Sequence, residues 1–127
     1  MLLYAPVAVG DVLDRLTILA LKLDRLPPER RPVVRDEHTA LGDAWRGAGL
    51  PEPTGVPEYA ALAEVNAALW DVEDRLRSAE ARLEFGPAFV ADARAVYVTN
   101  DRRAALKRTV NLRFGSRLVE EKLHPPY

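Results

Sequence analysis

Residues 58–85 read EYAALAEVNAALWDVEDRLRSAEARLEF, and after Gly86 residues 87–113 read PAFVADARAVYVTNDRRAALKRTVNLR. In the first run Leu62, Val65, Leu69, Val72, Leu76, Ala79 and Leu83 recur at alternating spacings of three and four, the signature of one apolar helix face. Gly86 suits a left-handed C-cap, and Pro87 suits the first turn of a following helix. Two helices of about 27 residues each reach roughly 40 Å. Joined by so short a turn, they must fold back as an antiparallel hairpin. The chain therefore reads as all-α: a helical bundle built on a long hairpin, 58–85 and 87–113, with two shorter N-terminal helices, in one domain spanning 1–127.

Prolines mark the remaining boundaries, because proline ends helices and biases the preceding residue away from them. Val12, Leu16, Leu19, Leu23 and Leu26 give a first helix, with Gly10 or Asp11 as the expected N-cap. Val34, Leu41 and Trp45 lie on one side of a second helix over about 34–46. Residues 47–57 hold three glycines and three prolines and read as loop. Residues 116–122 are expected to add one or two helical turns. Helix one covers only about 24 Å, so the N-terminal helices cannot cover both sides of the hairpin. A homodimer is the expected cover for the exposed seam.

Composition removes several chemistries. The chain has no cysteine, so disulfides, thiolate metal sites and cysteine nucleophiles are excluded. Its two histidines, His38 and His124, share no spacing with carboxylates that suggests a metal site. There is no glycine-rich phosphate loop, and neither a metal nor a cofactor is expected. No apolar run reaches the roughly 18 residues of a membrane span. Met1-Leu2-Leu3-Tyr4-Ala5 lacks the basic flank of a secretory signal, so the cytoplasm is the expected location.

The net charge of -1 hides two opposed parts. Between Arg94 and Arg117 stand seven basic residues and one acidic, Asp101. The favoured destination for this charge is the acidic third helix, with Asp71, Glu73, Asp74, Glu80 and Glu84; anion binding comes second. Nucleic-acid binding is not expected, because no aromatic-interleaved or helix-turn-helix signature accompanies the basic run. On helix three Asn66, Trp70, Glu73, Arg77 and Glu80 form a polar stripe. On helix four the core phase of Phe89, Val90, Ala93 and Val96 continues into Asn100, Lys107 and Asn111, which implies a buried network or a lined cleft. With the turn centred on Gly86, Glu73 and Arg77 would sit level with Arg94, Tyr97, Asn100 and Asp101. Glu73, Arg77, Arg94, Tyr97, Asn100, Asp101 and Lys107 are therefore the candidate ligand-binding residues; none is assigned as catalytic.

Three blocks carry a resemblance. Residues 16–22 (LTILALK), 69–77 (LWDVEDRLR) and 96–103 (VYVTNDRR), with Gly115-Ser116 and Glu121-Lys122 after them, resemble a bacterial family of small all-helical proteins with no assigned activity. The resemblance spans most of the chain except the region from Pro27 to Pro57. It implies a helical fold and a setting among genes for surface-polysaccharide biosynthesis, and it implies no chemistry. The expected function is a non-enzymatic homodimeric module that binds an anionic small molecule or a protein partner. The alternative is a small helical enzyme in the style of chorismate mutases, with Arg77 and Arg94 holding substrate anions, Lys107 and Asn100 stabilising charge, and Glu73 or Asp101 orienting them or acting as base.

Overall fold

The computed structural model describes residues 1–126. Four helices follow one another: α1 (Val9–Arg25), α2 (Arg31–Gly47), α3 (Tyr59–Ala81) and α4 (Pro87–Arg113), with short 3-10 turns at Pro28–Arg30 and Pro53–Gly55. No strand occurs among the described residues. The all-α hairpin architecture is as the sequence implied, and α4 runs unbroken through Thr99 and Asn100. α2 is longer than expected at both ends, because Pro32 falls in its first turn, where a missing N–H costs nothing. α1 starts at Val9 with Ala8 as its N-cap, two residues ahead of Gly10 and three ahead of Asp11, the expected caps.

Three details depart from the sequence reading. α3 stops at Ala81, and its left-handed residue is Leu83, with φ of 53°, in place of Gly86. The amides of Leu83 and Glu84 donate to the carbonyls of Glu80 and Ala79 at 3.0 and 2.9 Å. This hydrogen-bond pair closes a helix on a left-handed residue, which is usually glycine. Gly86 is instead the extended N-cap of α4. The second departure is register. The turn closes nearer to residue 84, so Arg75 of α3 pairs with Asp92 of α4 at 3.1 Å, where a turn centred on Gly86 would place residue 97. Third, residues 116–126 form no helix. Gly115, at φ of 63°, closes α4 with Ser116 N donating to Asn111 O at 2.8 Å, and the chain turns back along α4.

The core lies at the base of the hairpin, away from its turn. Leu13, Leu16, Trp45, Val56, Leu62 and Val110 form one buried cluster, with Leu41, Leu106 and Phe114 packed against it. Trp45 meets Phe114 edge to face at 5.8 Å and donates its indole N–H to Pro51 O at 2.6 Å, so its polar atom is satisfied inside the core. α1 lies against both arms of the hairpin and against α2. Only Val72 and Ala79 are buried on the turn-side half of α3, as the shortness of α1 required.

One position fixes how closely α1 approaches α4. Gly10 is buried, and a Cβ there would overlap the Lys107 carbonyl oxygen, a backbone atom that cannot swing aside, and would lie 2.9 Å from Asn111 Oδ1. Gly10→Ala must therefore push the helices apart, and overpacking of this kind costs about 1–3 kcal/mol. Urea denaturation is expected to show that loss for Gly10→Ala and much less for Gly47→Ala, where the added carbon meets nothing.

Candidate functional site

Every fourth residue of α4 near its C-terminus points at α1, and each finds a polar partner there. Arg103 donates to the Asp14 carboxylate through Nε at 2.9 Å and Nη2 at 2.5 Å. Lys107 reaches Asp11 at 3.1 Å. Asn111 Oδ1 accepts from the Gly10 amide at 2.6 Å, satisfying one of the orphan donors of the first turn of α1. The Asp14 side chain is only 6% exposed, so its charge needs both a counterion and further donors. Asn66 of α3 supplies one, donating from Nδ2 to Asp14 Oδ1 and to Thr17 Oγ1, both at 2.9 Å. Thr17 in turn donates its hydroxyl to the Asp14 carbonyl at 2.7 Å. Among the described residues, no buried side-chain polar atom is left without a partner.

Electrostatics follow the contacts. The hydrogen bonds to Asp14 hold the Arg103 guanidinium above its ordinary pKa, against the opposing effect of burial. Burial is the largest influence on Lys107 and works to lower its pKa, yet its bonds to Glu120 and Asp11 together outweigh it, so the pKa is raised. Arg113 donates to both oxygens of Glu58, the residue that precedes α3, and holds that carboxyl below its ordinary value. Lys107 likewise lowers Glu120 in the tail, at 2.9 Å. The basic run is thus neutralised by α1, by Glu58 and by the tail, and not by the acidic side chains of α3 as the sequence reading favoured. Those side chains sit on other faces: Asp71 pairs with Arg25 at 2.6 Å, and Glu73 faces Arg77 along its own helix.

The seven sequence-derived candidates do not converge on one site. Glu73 and Arg77 form an exposed pair 3.9 Å apart. Arg94 is exposed on α4. Lys107 belongs to the α1 network. Tyr97, Asn100 and Asp101 do come together, in a cleft of about 790 Å³ between α4 and the returning tail. Its other walls are Val96, Lys122, His124, Pro125 and Pro126. Glu73, Arg77 and Arg94 do not line this cleft. The shifted hairpin register is the reason: Arg75 opposite Asp92 carries Glu73 and Arg77 toward the hairpin turn, away from Asn100 and Asp101.

Sequence reasoning missed Asp14 and Arg103 and both halves of the cleft wall that the tail supplies. A signal for Asp14 was present: it falls between Leu13 and Leu16, on the buried side of the first helix. No group of three His, Cys, Asp or Glu side chains that could hold a metal ion occurs among the described residues, and no described helix is long and apolar enough to cross a membrane. No family model, curated protein or solved structure matches this chain.

The depressed pKa of Glu58 makes stability depend on pH in a definite direction. Unfolded, the carboxyl titrates near its ordinary 4.5; folded, it titrates lower. Its contribution is complete above the unfolded value and is lost as pH falls through the folded one. Thermal melts of the wild-type chain are expected to fall as pH drops below about 4.5. Glu58→Gln is expected to be less stable at neutral pH and to show a shallower decline in acid. Equal slopes for the two chains would contradict this assignment.

Proposed function

We propose that this chain is a non-enzymatic, homodimeric helical module of the bacterial cytoplasm that binds a small anionic ligand in the cleft between α4 and the tail. The observation that carries the reading is the cleft itself, which gathers Tyr97, Asn100 and Asp101 with Lys122 and His124. Lys122 and His124 offer donors to an anionic group, the Asn100 amide offers both a donor and an acceptor, and Val96 with the two prolines gives apolar walls. Asp101 at the same opening disfavours a bare dense anion and favours a ligand with hydroxyl or amine donors beside its charge.

The ion pairs with the most buried side chains serve the fold, which favours a binding role over catalysis. Asp14, Arg103, Lys107, Glu58 and Arg113 are all consumed in holding helices and tail together. A chorismate-mutase-like arrangement would need two arginines on the substrate, and neither Arg77 nor Arg94 lines the cleft. A link to surface-polysaccharide biosynthesis rests on the resemblance of the three sequence blocks, and it guides the choice of probes. The homodimer rests on the apolar side chains left exposed on the turn-side half of the hairpin, among them Phe85, Val90 and Val98.

A thermal-shift screen against phosphorylated sugars, nucleotide sugars and dicarboxylates tests the ligand. At least one probe is expected to raise the midpoint, and Asn100→Ala and Lys122→Ala are expected to abolish that shift while leaving the ligand-free midpoint within a few degrees. No stabilisation by any probe would remove the anionic ligand from the reading. Light scattering of the wild-type chain at micromolar concentration is expected to give twice the monomer mass of 14.1 kDa, and a clean monomer would remove the homodimer.

A further inference from the structure

The walls of the ligand cleft come from α4 and from the returning tail. Val96, Tyr97, Asn100 and Asp101 of the helix form one side, and tail residues 122 and 124–126 form the other. With the tail away from α4, these helix residues would be an open surface and no cleft would exist. What docks the tail therefore decides whether the cleft is there.

The root of the tail is fixed. Gly115 turns the chain at φ of 63°, and Ser116 N donates to Asn111 O at 2.8 Å. The Ser116 hydroxyl accepts from Val9 N at 3.3 Å and donates to Leu118 O at 2.7 Å. Two ion pairs follow, Glu120 with Lys107 at 2.9 Å and Glu121 with Arg108 at 3.7 Å. The cleft wall lies beyond both of them. None of residues 117–126 is buried; Val119 is half-buried and Leu123 is 97% exposed, so among the described residues the tail has no apolar anchor in the core. A second cavity of about 210 Å³, bordered by Ala104, Lys107, Arg108, Glu120 and Lys122, shows that the tail is not packed flush on the helix. Segments with so few buried contacts open at the low end of a protein's range of local stabilities.

The two ion pairs are not equal. Arg108 and Glu121 are both exposed, where such a pair contributes little. The Lys107 side chain is only 14% exposed, so its contact with Glu120 is the one that holds. It can also be released without stranding a charge. Asp11 of α1 stays on the ammonium at 3.1 Å, while Glu120 passes into water. An ammonium shared between a carboxylate fixed on a helix and one on a movable segment has the chemistry of a latch.

We propose that residues 117–126 form a strap over the cleft, latched by Lys107 on Glu120, and that the ligand enters and leaves when this latch opens. This rests on the anionic-ligand reading of the preceding section and specifies how access to that cleft is controlled. Because Glu120 meets solvent, salt screens the latch, and the strap opens as ionic strength rises.

The absence of native cysteine gives a direct readout of the strap in the full chain. Val96→Cys places a single thiol in the cleft wall, with Asn100→Cys as a second position, and its rate of reaction with N-ethylmaleimide, an uncharged reagent, is followed. Val98→Cys, half-exposed on α4 and outside the cleft, is the reference. Each chain is made with the native tail, with Glu120→Gln, and with Glu120→Gln and Glu121→Gln together, and circular dichroism is expected to show equal helix content. Glu120→Gln is expected to speed labelling at the cleft positions several-fold and to leave the reference unchanged. Raising sodium chloride to about 1 M is expected to do the same for the native tail and to add little to the Glu120→Gln chains. Equal rates for all tails overturn the strap, whatever the ligand screen finds. A rise that the reference shares is general loosening and overturns it as well. A rise confined to the cleft, together with a screen in which no probe stabilises the chain, removes the anionic ligand and leaves the strap.

Discussion

The structure turns on one buried carboxylate. Asp14 sits on the inward face of α1, in a position that apolar side chains would otherwise fill, and a charge there is tolerable only if its counterion and remaining donors are in place. Arg103 supplies the charge from α4, and Asn66 supplies a donor from α3. Satisfying Asp14 therefore seats α1 against both arms of the hairpin at once. The apolar cluster around Leu13, Leu16 and Val110 would accept several rotations of α1, because hydrophobic contact is not directional. The polar network accepts one. Gly10 extends the same constraint, since only a residue without Cβ lets the first turn of α1 rest on the Lys107 carbonyl.

From this seating the rest of the site follows. With α1 fixed, Lys107 is drawn between Asp11 and Glu120. That second carboxylate belongs to the tail, so the ammonium ties the tail to α4 as well as α1 to α4. Arg108 and Glu121 add a looser contact at 3.7 Å. The tail then runs back past Asn100 and Asp101 and forms the far wall of the cleft. The candidate ligand site thus stands beside two sets of paired charges, Asp14 with Arg103 in the core and Lys107 with Asp11 and Glu120 nearer the surface.

Much of the fold was legible in the sequence because helix periodicity is local. The three-four alternation from Leu62 to Ala79 sets the third helix, and Pro87 opens the fourth. The turn was less legible. Its left-handed residue is selected by hydrogen bonds from the backbone amides of Leu83 and Glu84, donors that every residue but proline carries, so the glycine at 86 pointed to the wrong place. A shift of only a few residues there displaced the register of the hairpin and dispersed the expected cluster. Lys107 and Asn111 were recognisable as paired polar groups because they fall in the core phase of α4. Their partners were not, since the Gly10 amide lies 101 residues from Asn111, Asp11 is similarly remote from Lys107, and the tail that holds Glu120 carries no periodic signal at all.

The central claim is that Asp14 and Arg103 act as one unit that fixes α1 in the hairpin. A double-mutant cycle with Asp14→Ala, Arg103→Ala and the double variant, followed by urea denaturation at one fixed protein concentration, measures that directly. Each single variant is expected to lose several kcal/mol, on the order of 3–5 for a buried charge left without its partner. The double variant is expected to lose clearly less than the combined single losses, with a coupling of about 1–3 kcal/mol. Losses that combine additively within about 0.5 kcal/mol would contradict the account and make the pair incidental to the fold.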